Sequence, residues 1–142
     1  MGKAKELADN LWAIQESGQL DKLDELAHPD AEFILPGGIR LRGPEELRAL
    51  LESYQTAFPD MQHNVVDYIE AKDGIAVELH ITATHTGDMS TPSGATIPAT
   101  GKSVTWDSVD VIRLRDDKVA SWHVYFDQAS FLAQLGLMPA VG

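Results

Sequence analysis

Cysteine is absent from this chain, which excludes a disulfide framework, a thiolate metal site and a cysteine nucleophile. Basic residues are scarce. Eleven Lys and Arg stand against 22 Asp and Glu, for a formal charge of −11. Such a surface repels nucleic-acid phosphates and anionic lipid, so neither nucleic acid nor a membrane is an expected partner. Long apolar runs are missing too: the start, Met1-Gly2-Lys3-Ala4-Lys5-Glu6, passes straight into an amphipathic helical pattern with no segment of signal or membrane-spanning length. The expected location is the cytoplasm. No pair of His or carboxylate residues has the spacing of a helical metal motif. Gly37-Gly38 does not open into a helix carrying Lys and Ser or Thr, so no phosphate-cradling loop is indicated. Neither a metal nor a cofactor is expected.

What is present is enough apolar material for one core. With 142 residues and 44% hydrophobic content, a single domain over 1–142 is expected, large enough to enclose a cavity. Ala4, Leu7, Ala8, Leu11 and Ile14 recur at helical spacing, and Ser17-Gly18 ends that helix. A second, short helix uses Leu20, Leu23, Leu26 and Ala27, and His28-Pro29-Asp30 stops it, because the residue before proline is pushed out of the helical region. Ala31 to Leu35 reads as a strand closed by the turn Pro36-Gly37-Gly38. Gly43-Pro44 opens a third helix with proline at its first position and Glu45 and Glu46 in its first turn; Leu47, Leu50, Leu51, Tyr54, Ala57 and Phe58 share one face.

The period then switches to two. Met61 to Glu70 and Ile75 to Thr86 read as strands joined through Ala71-Lys72-Asp73-Gly74, an Asp-Gly hairpin signal. Gly87 to Gly101 is a long loop rich in Gly, Pro, Ser and Thr, a length that usually carries function. Two further strands, Val104 to Leu114 and Lys118 to Phe126, flank Arg115-Asp116-Asp117, and Asp127 can cap a last helix running to Leu135 before Gly136. The expected plan is α+β, with a curved sheet folded over a helix layer to leave a cone with an internal pocket.

The last hairpin holds the most informative residue. A three-residue loop, Arg115 to Asp117, sets Asp110 opposite Trp122 and puts Trp106, Ser108, Asp110, Ile112, Leu114, Ala120, Trp122, Val124 and Phe126 on one face. The other face then carries Asp107, Arg113, Ser121, His123, Tyr125 and Asp127. A two-residue loop, Asp116-Asp117, slips the register by one, sets Asp110 against His123 and mixes the faces. The first register is preferred because it segregates polar from apolar. It makes Asp110 a lone carboxylate on an apolar wall, where desolvation raises its pKa and suits it to acid chemistry. An Asp that accepts hydrogen bonds from a nearby Trp or Tyr and fixes the core is the competing reading.

The chain resembles the SnoaL-like polyketide cyclases and, more distantly, the ketosteroid isomerases and limonene epoxide hydrolases, all of the nuclear-transport-factor-two-like cone fold. The resemblance is carried over nearly the whole chain by His28-Pro29-Asp30-Ala31, Gly43-Pro44-Glu45-Glu46-Leu47, Phe58-Pro59-Asp60, Thr84-His85-Thr86-Gly87, Thr100-Gly101-Lys102, and Gln134-Leu135-Gly136 after Asp127. It implies that Asp110 falls where the isomerases keep a protonated oxyanion-hole Asp and where the cyclases carry a pocket His. The isomerase general base falls near Leu35 and its tyrosine near Leu11 or Trp12. The cyclase acid-base Asp falls at Val124, and the hydrolase Arg at Ser108. None of these three site plans is complete.

Other candidates follow from residue type and position. His85 ends a strand beside the long loop, and histidine is a residue type suited to proton transfer near neutrality, although a strand-end His is often a solvated cap. His80, five residues earlier, points to the opposite face. His63 can reach the interior, but the pattern does not fix its face. His123, Tyr125 and Asp127 line the sheet's outer face in the preferred register and join the site only in the slipped one. Trp12, Tyr54, Phe58, Trp106, Trp122, Val124 and Phe126 are candidate pocket wall, and they imply a small, mainly apolar ligand. Two functions compete. One is a cofactor-free acid-base enzyme of cyclase, isomerase or hydrolase type, with Asp110 assisted by Ser108 and by His85 or His63. The other is a non-catalytic small-molecule binding module. An apolar strip of Val109, Val111, Val119 and Tyr125 on the outer face implies a homodimer.

Overall fold

A computed structural model describes residues 2–90 and 94–137. Helix α1 spans Lys3–Ser17 and ends where Gly18 takes a left-handed conformation, its N–H closing on the Ile14 carbonyl at 3.0 Å. The expected second helix is shorter than its apolar stripe: a 3-10 turn, Leu20–Lys22, runs into one turn of α2, Leu23–Leu26. Strand β1 then begins at Ala27 instead of Ala31 and runs to Leu35. Its parallel pairing with the last strand is interrupted between Ala27 and Glu32, so Pro29, which has no N–H to give, sits in the gap. The Pro36-Gly37-Gly38 turn leads into a strand absent from the sequence reading, β2, Ile39–Arg42, which pairs back on β1.

Helix α3, Gly43–Ala57, carries Pro44 in its first turn and buries Leu47 and Leu51. Gly43 has φ +85°, and a Cβ there would lie 2.8 Å from the Pro29 carbonyl oxygen, so this junction requires glycine. Strands β3, Gln62–Ala71, and β4, Gly74–Thr84, form the expected hairpin. The long loop is more ordered than its composition suggests. Met89–Ser90, β5, pairs with Thr96–Ile97, β6, as a small antiparallel ribbon. Residues 91–93 of that loop lie outside the described residues. Strands β7, Ser103–Arg115, and β8, Lys118–Phe126, complete the sheet, and α4, Gln128–Gln134, starts where the Asp127 carboxylate accepts from the Ser130 N–H.

The main sheet has the order β2-β1-β8-β7-β4-β3, mixed because β1 and β8 run parallel. The fold is the expected α+β cone. Helices α1 and α3 pack on the concave face against Phe33, Val77, Leu79, Ile112 and Trp122. A second cluster of Phe58, Met89, Val104, Phe131 and Leu135 closes the end near α4.

The β7–β8 hairpin matches neither register weighed from the sequence. Asp116 and Asp117 both have positive φ, 53° and 62°, as a two-residue type I′ turn requires. Arg115 then pairs with Lys118 and Leu114 with Val119, but Arg113 pairs with Ser121. Ala120 is therefore an extra residue, a β-bulge that advances the register by one. Asp110 ends up opposite Val124, with Ile112 opposite Trp122. The bulge restores the parity that the short turn had broken. Trp122, Val124 and Phe126 thus share the face of Asp110 as the three-residue loop had required, whereas Val119 is fully buried and leaves the outer strip.

Candidate active site

The concave face of the sheet, α1, α3, α4 and the β5–β6 ribbon enclose a cavity of ≈ 610 Å³. All seven expected wall residues line it: Trp12 from α1, Tyr54 from α3, Phe58 just after it, Trp106 from β7, and Trp122, Val124 and Phe126 from β8. Sequence reading missed the ribbon residues Met89, Ser90 and Ile97 and the α4 residues Phe131 and Leu132. Aromatic edges dominate the far wall, where Trp106 meets Phe131 at 4.9 Å and Phe126 at 6.1 Å between ring centroids. Such a wall suits a ring-bearing ligand of mainly apolar character.

Asp110 enters this wall from β7 and is 4% exposed. Ser108, two residues earlier on the same face, donates its hydroxyl to Oδ1 at 2.5 Å, and Trp122 donates Nε1–H to Oδ2 at 2.9 Å. Each carboxylate oxygen has one neutral donor and no cation among the described residues. Burial pushes the carboxyl up to about 6 even though the Ser108 and Trp122 hydrogen bonds pull it down. Asp110 thus accepts from a Trp, as the core-fixing reading expected, and is a carboxyl whose pKa burial has raised.

His63 also lines the cavity, from the start of β3. Its ring stacks on Trp12 at 5.4 Å and 13°, and its Nδ1 lies 2.9 Å from Glu16 Oε2. The same oxygen accepts the His63 backbone N–H at 2.8 Å. Burial lowers the imidazole pKa, and Glu16 opposes that shift by favouring the cation. Glu16 had no signal in the sequence, because its partner is 47 residues away. His63 aligns with Ile81 and, across β4, with Trp106. Asp110 is therefore roughly 13 Å further along the strands and roughly 10 Å across two of them. Between the two groups stand Trp12 and Trp122, in edge contact at 5.7 Å. Tyr54 adds a phenol to the wall with no hydrogen-bond partner among the described residues; burial raises its pKa.

His85 does not reach the cavity. It is fully buried against Phe58, 5.3 Å between rings. The Thr100 N–H donates to its Nδ1 at 3.2 Å, with Thr100 Oγ1 3.0 Å away. Its backbone N–H donates to Lys102 and its carbonyl accepts from Gly101. Nδ1 thus anchors the end of the long loop, while Nε2 is buried with no hydrogen-bond partner among the described residues. Gly87 completes that Thr-His-Thr-Gly turn: the N–H groups of Thr86 and Gly87 both donate to the Ala57 carbonyl at the end of α3. A Cβ on Gly87 would lie 1.8 Å from the Thr56 oxygen.

His123 and Tyr125 lie on the outer face, stacked at 4.0 Å and joined through Tyr125 Oη and His123 Nδ1 at 2.9 Å. Asp127 is the cap of α4. None of the three lines the cavity with Asp110.

A family model for SnoaL-like polyketide cyclases matches residues 3–135. The chain belongs to that family. Among curated proteins this SnoaL-like chain is 26% identical over 136 residues to the aklanonic acid methyl ester cyclase DnrD of Streptomyces peucetius, covering 92% of this chain and 89% of that one. Among solved structures it superposes on AclR of Streptomyces galilaeus with a TM-score of 0.80 at 26% identity, covering 100% of this chain and 90% of that one. Wild-type IdmH of Streptomyces antibioticus gives 0.77 at 27% identity, covering 94% of this chain and 98% of that one.

Proposed function

We propose that this SnoaL-like protein is a cofactor-independent acid-base enzyme of cyclase type, acting on a polyketide-like carbonyl compound held in the cavity, with Asp110 as proton donor and oxyanion partner. The observation that carries this reading is the placement of Asp110, a nearly fully buried carboxyl in an apolar wall with its pKa pushed to about 6. A carboxyl with that pKa keeps its proton into mildly acidic solution and can still pass it to a developing alkoxide or enolate oxygen. The carboxylate left behind is stabilised by the Ser108 hydroxyl and the Trp122 indole N–H.

The resemblance places the cyclase acid-base Asp at Val124, which cannot transfer a proton. Val124 is the direct cross-strand partner of Asp110, so the two side chains spring from backbone only about 5 Å apart. The same part of the wall is served by a carboxyl from the neighbouring strand. Ser108 then acts as the hydroxyl that orients that carboxyl.

A second reading, a binding module without catalysis, is favoured by Leu35, the position matching the isomerase base, which is an alkyl side chain in the wall. Incubation with an aromatic keto ester such as aklanonic acid methyl ester separates the two. The enzyme reading expects an isomeric ring-closed product by chromatography and mass spectrometry, and a loss of at least about 100-fold in kcat for Asp110→Asn with binding retained. Tryptophan fluorescence quenching without any product favours the binding module.

A further inference from the structure

The cavity holds a second group with the geometry for proton transfer. The Glu16 carboxylate can only accept hydrogen bonds, so the proton between it and the neutral His63 ring belongs to Nδ1, 2.9 Å from Oε2. This leaves Nε2 as the lone-pair nitrogen. No partner for it is found among the described residues, while the ring lines the cavity with only 5% of its side chain exposed. The clamp is double, since the oxygen that holds Nδ1 also holds the His63 backbone N–H. Trp12, stacked on the ring, removes the remaining rotational freedom. Glu16 itself is 36% exposed in its side chain. It lines an adjoining hollow of ≈ 200 Å³ that shares Gln15, Leu51, Tyr54, Phe58 and Met61 with the cavity.

We propose that His63 is the base of this site and Glu16 its positioning residue: Nε2 removes a proton from the bound compound, and Glu16 fixes the tautomer and stabilises the imidazolium that forms. The inference rests on the acid-base reading of the cavity and deepens it. The proton taken by Nε2 leaves its electron pair on the ligand as an enolate or equivalent anion, and the proton given by Asp110 is delivered to an oxygen at the other end of the cavity. One proton enters the ligand and one leaves. His63 and Asp110 are too far apart to share that proton directly, so a ligand of ring-system size must span them. The titratable groups lining the cavity alongside them are Tyr54 and Glu46, both from α3.

The test uses the full chain and a generic carbon acid, 5-nitrobenzisoxazole, whose C3–H proton is taken by a base as its N–O bond breaks to give a coloured cyanophenolate. The wild-type protein is expected to accelerate this opening over imidazole in solution. His63→Gln should lose about 100-fold or more in kcat. Glu16→Gln, whose amide oxygen can still accept from Nδ1, should lose about tenfold in kcat with KM unchanged, and the acid limb of its pH profile should move to lower pH because the charge favouring the imidazolium is gone. The outer-face variant His80→Gln serves as control and should behave as wild type.

Ring nitrogen shifts in NMR should show the Nδ1–H tautomer of His63 in wild type. Wild-type activity untouched by His63→Gln, or an Nε2–H tautomer for His63, overturns the inference. Turnover of a keto ester distinguishes this failure from that of the broader reading: if His63→Gln is fully active and Asp110→Asn is dead, only the His63 role falls. If both variants turn over at the wild-type rate, the acid-base reading falls with it.

Discussion

Trp122 Nε1 reaches Asp110 Oδ2 at 2.9 Å although the two residues are not opposed in the β7–β8 ladder, where Trp122 faces Ile112 and Asp110 faces Val124. The contact is diagonal, within reach of an indole on one sheet face. Since Trp122 Nε1 carries its only donor and a buried Asp can accept at either oxygen, the bond satisfies both groups at once. Replacing Trp122 by Phe keeps most of the ring but removes the donor. The Asp110 pKa should rise above its wild-type value, because a hydrogen bond that favours the anion is lost. The stability cost should be about 2 kcal/mol larger at pH 8, where Asp110 is ionised, than at pH 4. Urea denaturation at the two pH values measures it.

Asp110 should also give stability an unusual pH dependence. Its folded pKa, about 6, lies above the model value of 3.8, so the folded chain binds the proton more tightly than the unfolded one. The resulting stabilisation is complete below about pH 4 and is lost as pH rises through about 6, for a total near ~3 kcal/mol. Asp110→Asn is isosteric, accepts from Trp122 and carries no charge. Relative to wild type it should gain about that amount between pH 4 and pH 8. Denaturation midpoints that stay parallel over this range would contradict the shift.

His63 works in the opposite direction. Its pKa is lowered by burial, so its contribution to stability is present above about 6.5 and lost as pH falls through the folded value. With His63 as base and Asp110 as acid, activity should fall at acid pH as His63 is protonated and fall again as pH rises through about 6 and Asp110 loses its proton. A rate profile rising monotonically to pH 9 would exclude a protonated Asp110 from the working form.

Gly87→Ala should be severely destabilising. The added methyl meets the Thr56 carbonyl oxygen at 1.8 Å, backbone that cannot yield without breaking the two hydrogen bonds to Ala57. A loss of about 3 kcal/mol or more is expected, read as a lowered midpoint of thermal unfolding. The Gly94→Ala variant, where a Cβ meets nothing within 4 Å but φ is +86°, should lose only the cost of that backbone conformation, about 1 to 2 kcal/mol.

The outer face of the sheet carries the expectation of a homodimer. Val109 and Tyr125 are cross-strand partners there and are 39% and 52% exposed. Pairing two copies across a two-fold axis would cover them. Equilibrium sedimentation at micromolar concentration should give twice the 15.5 kDa chain mass, and Val109→Arg should return it to monomer. A wild-type monomer would refute the assembly.

Much of this fold is legible in the sequence because its periodicities are strong. The α1 stripe, the Gly43-Pro44 start of α3, the Asp73-Gly74 hairpin and the Asp127 cap each rest on one local cause. Six of the seven wall residues follow from alternation and helical spacing in the same way; Trp12, off the α1 stripe, follows only from its residue type. The β7–β8 register does not, because a bulge at Ala120 changes the count of residues without changing the apolar alternation beyond it. The tight turn and the clean faces looked mutually exclusive, and the bulge reconciles them. Strand β2 and the β5–β6 ribbon, two to four residues each, are too short for any period to declare them. His85 carried the right chemistry at the wrong place, since only tertiary contacts reveal that Thr100 holds it. Glu16 was invisible for the complementary reason: at the end of an amphipathic helix an acidic residue is ordinary until a distant strand brings a histidine to it.

The carboxyl ¹³C resonance of Asp110, followed by NMR from pH 3 to pH 9 in the free protein, tests the central claim most directly. The account predicts a midpoint near 6, moved further up in Trp122→Phe and Ser108→Ala, each of which removes a donor to the anion. A midpoint at or below the ordinary aspartate value of about 3.9 would mean that water or a cation reaches the group, and the role of Asp110 as the acid of this cavity would be lost.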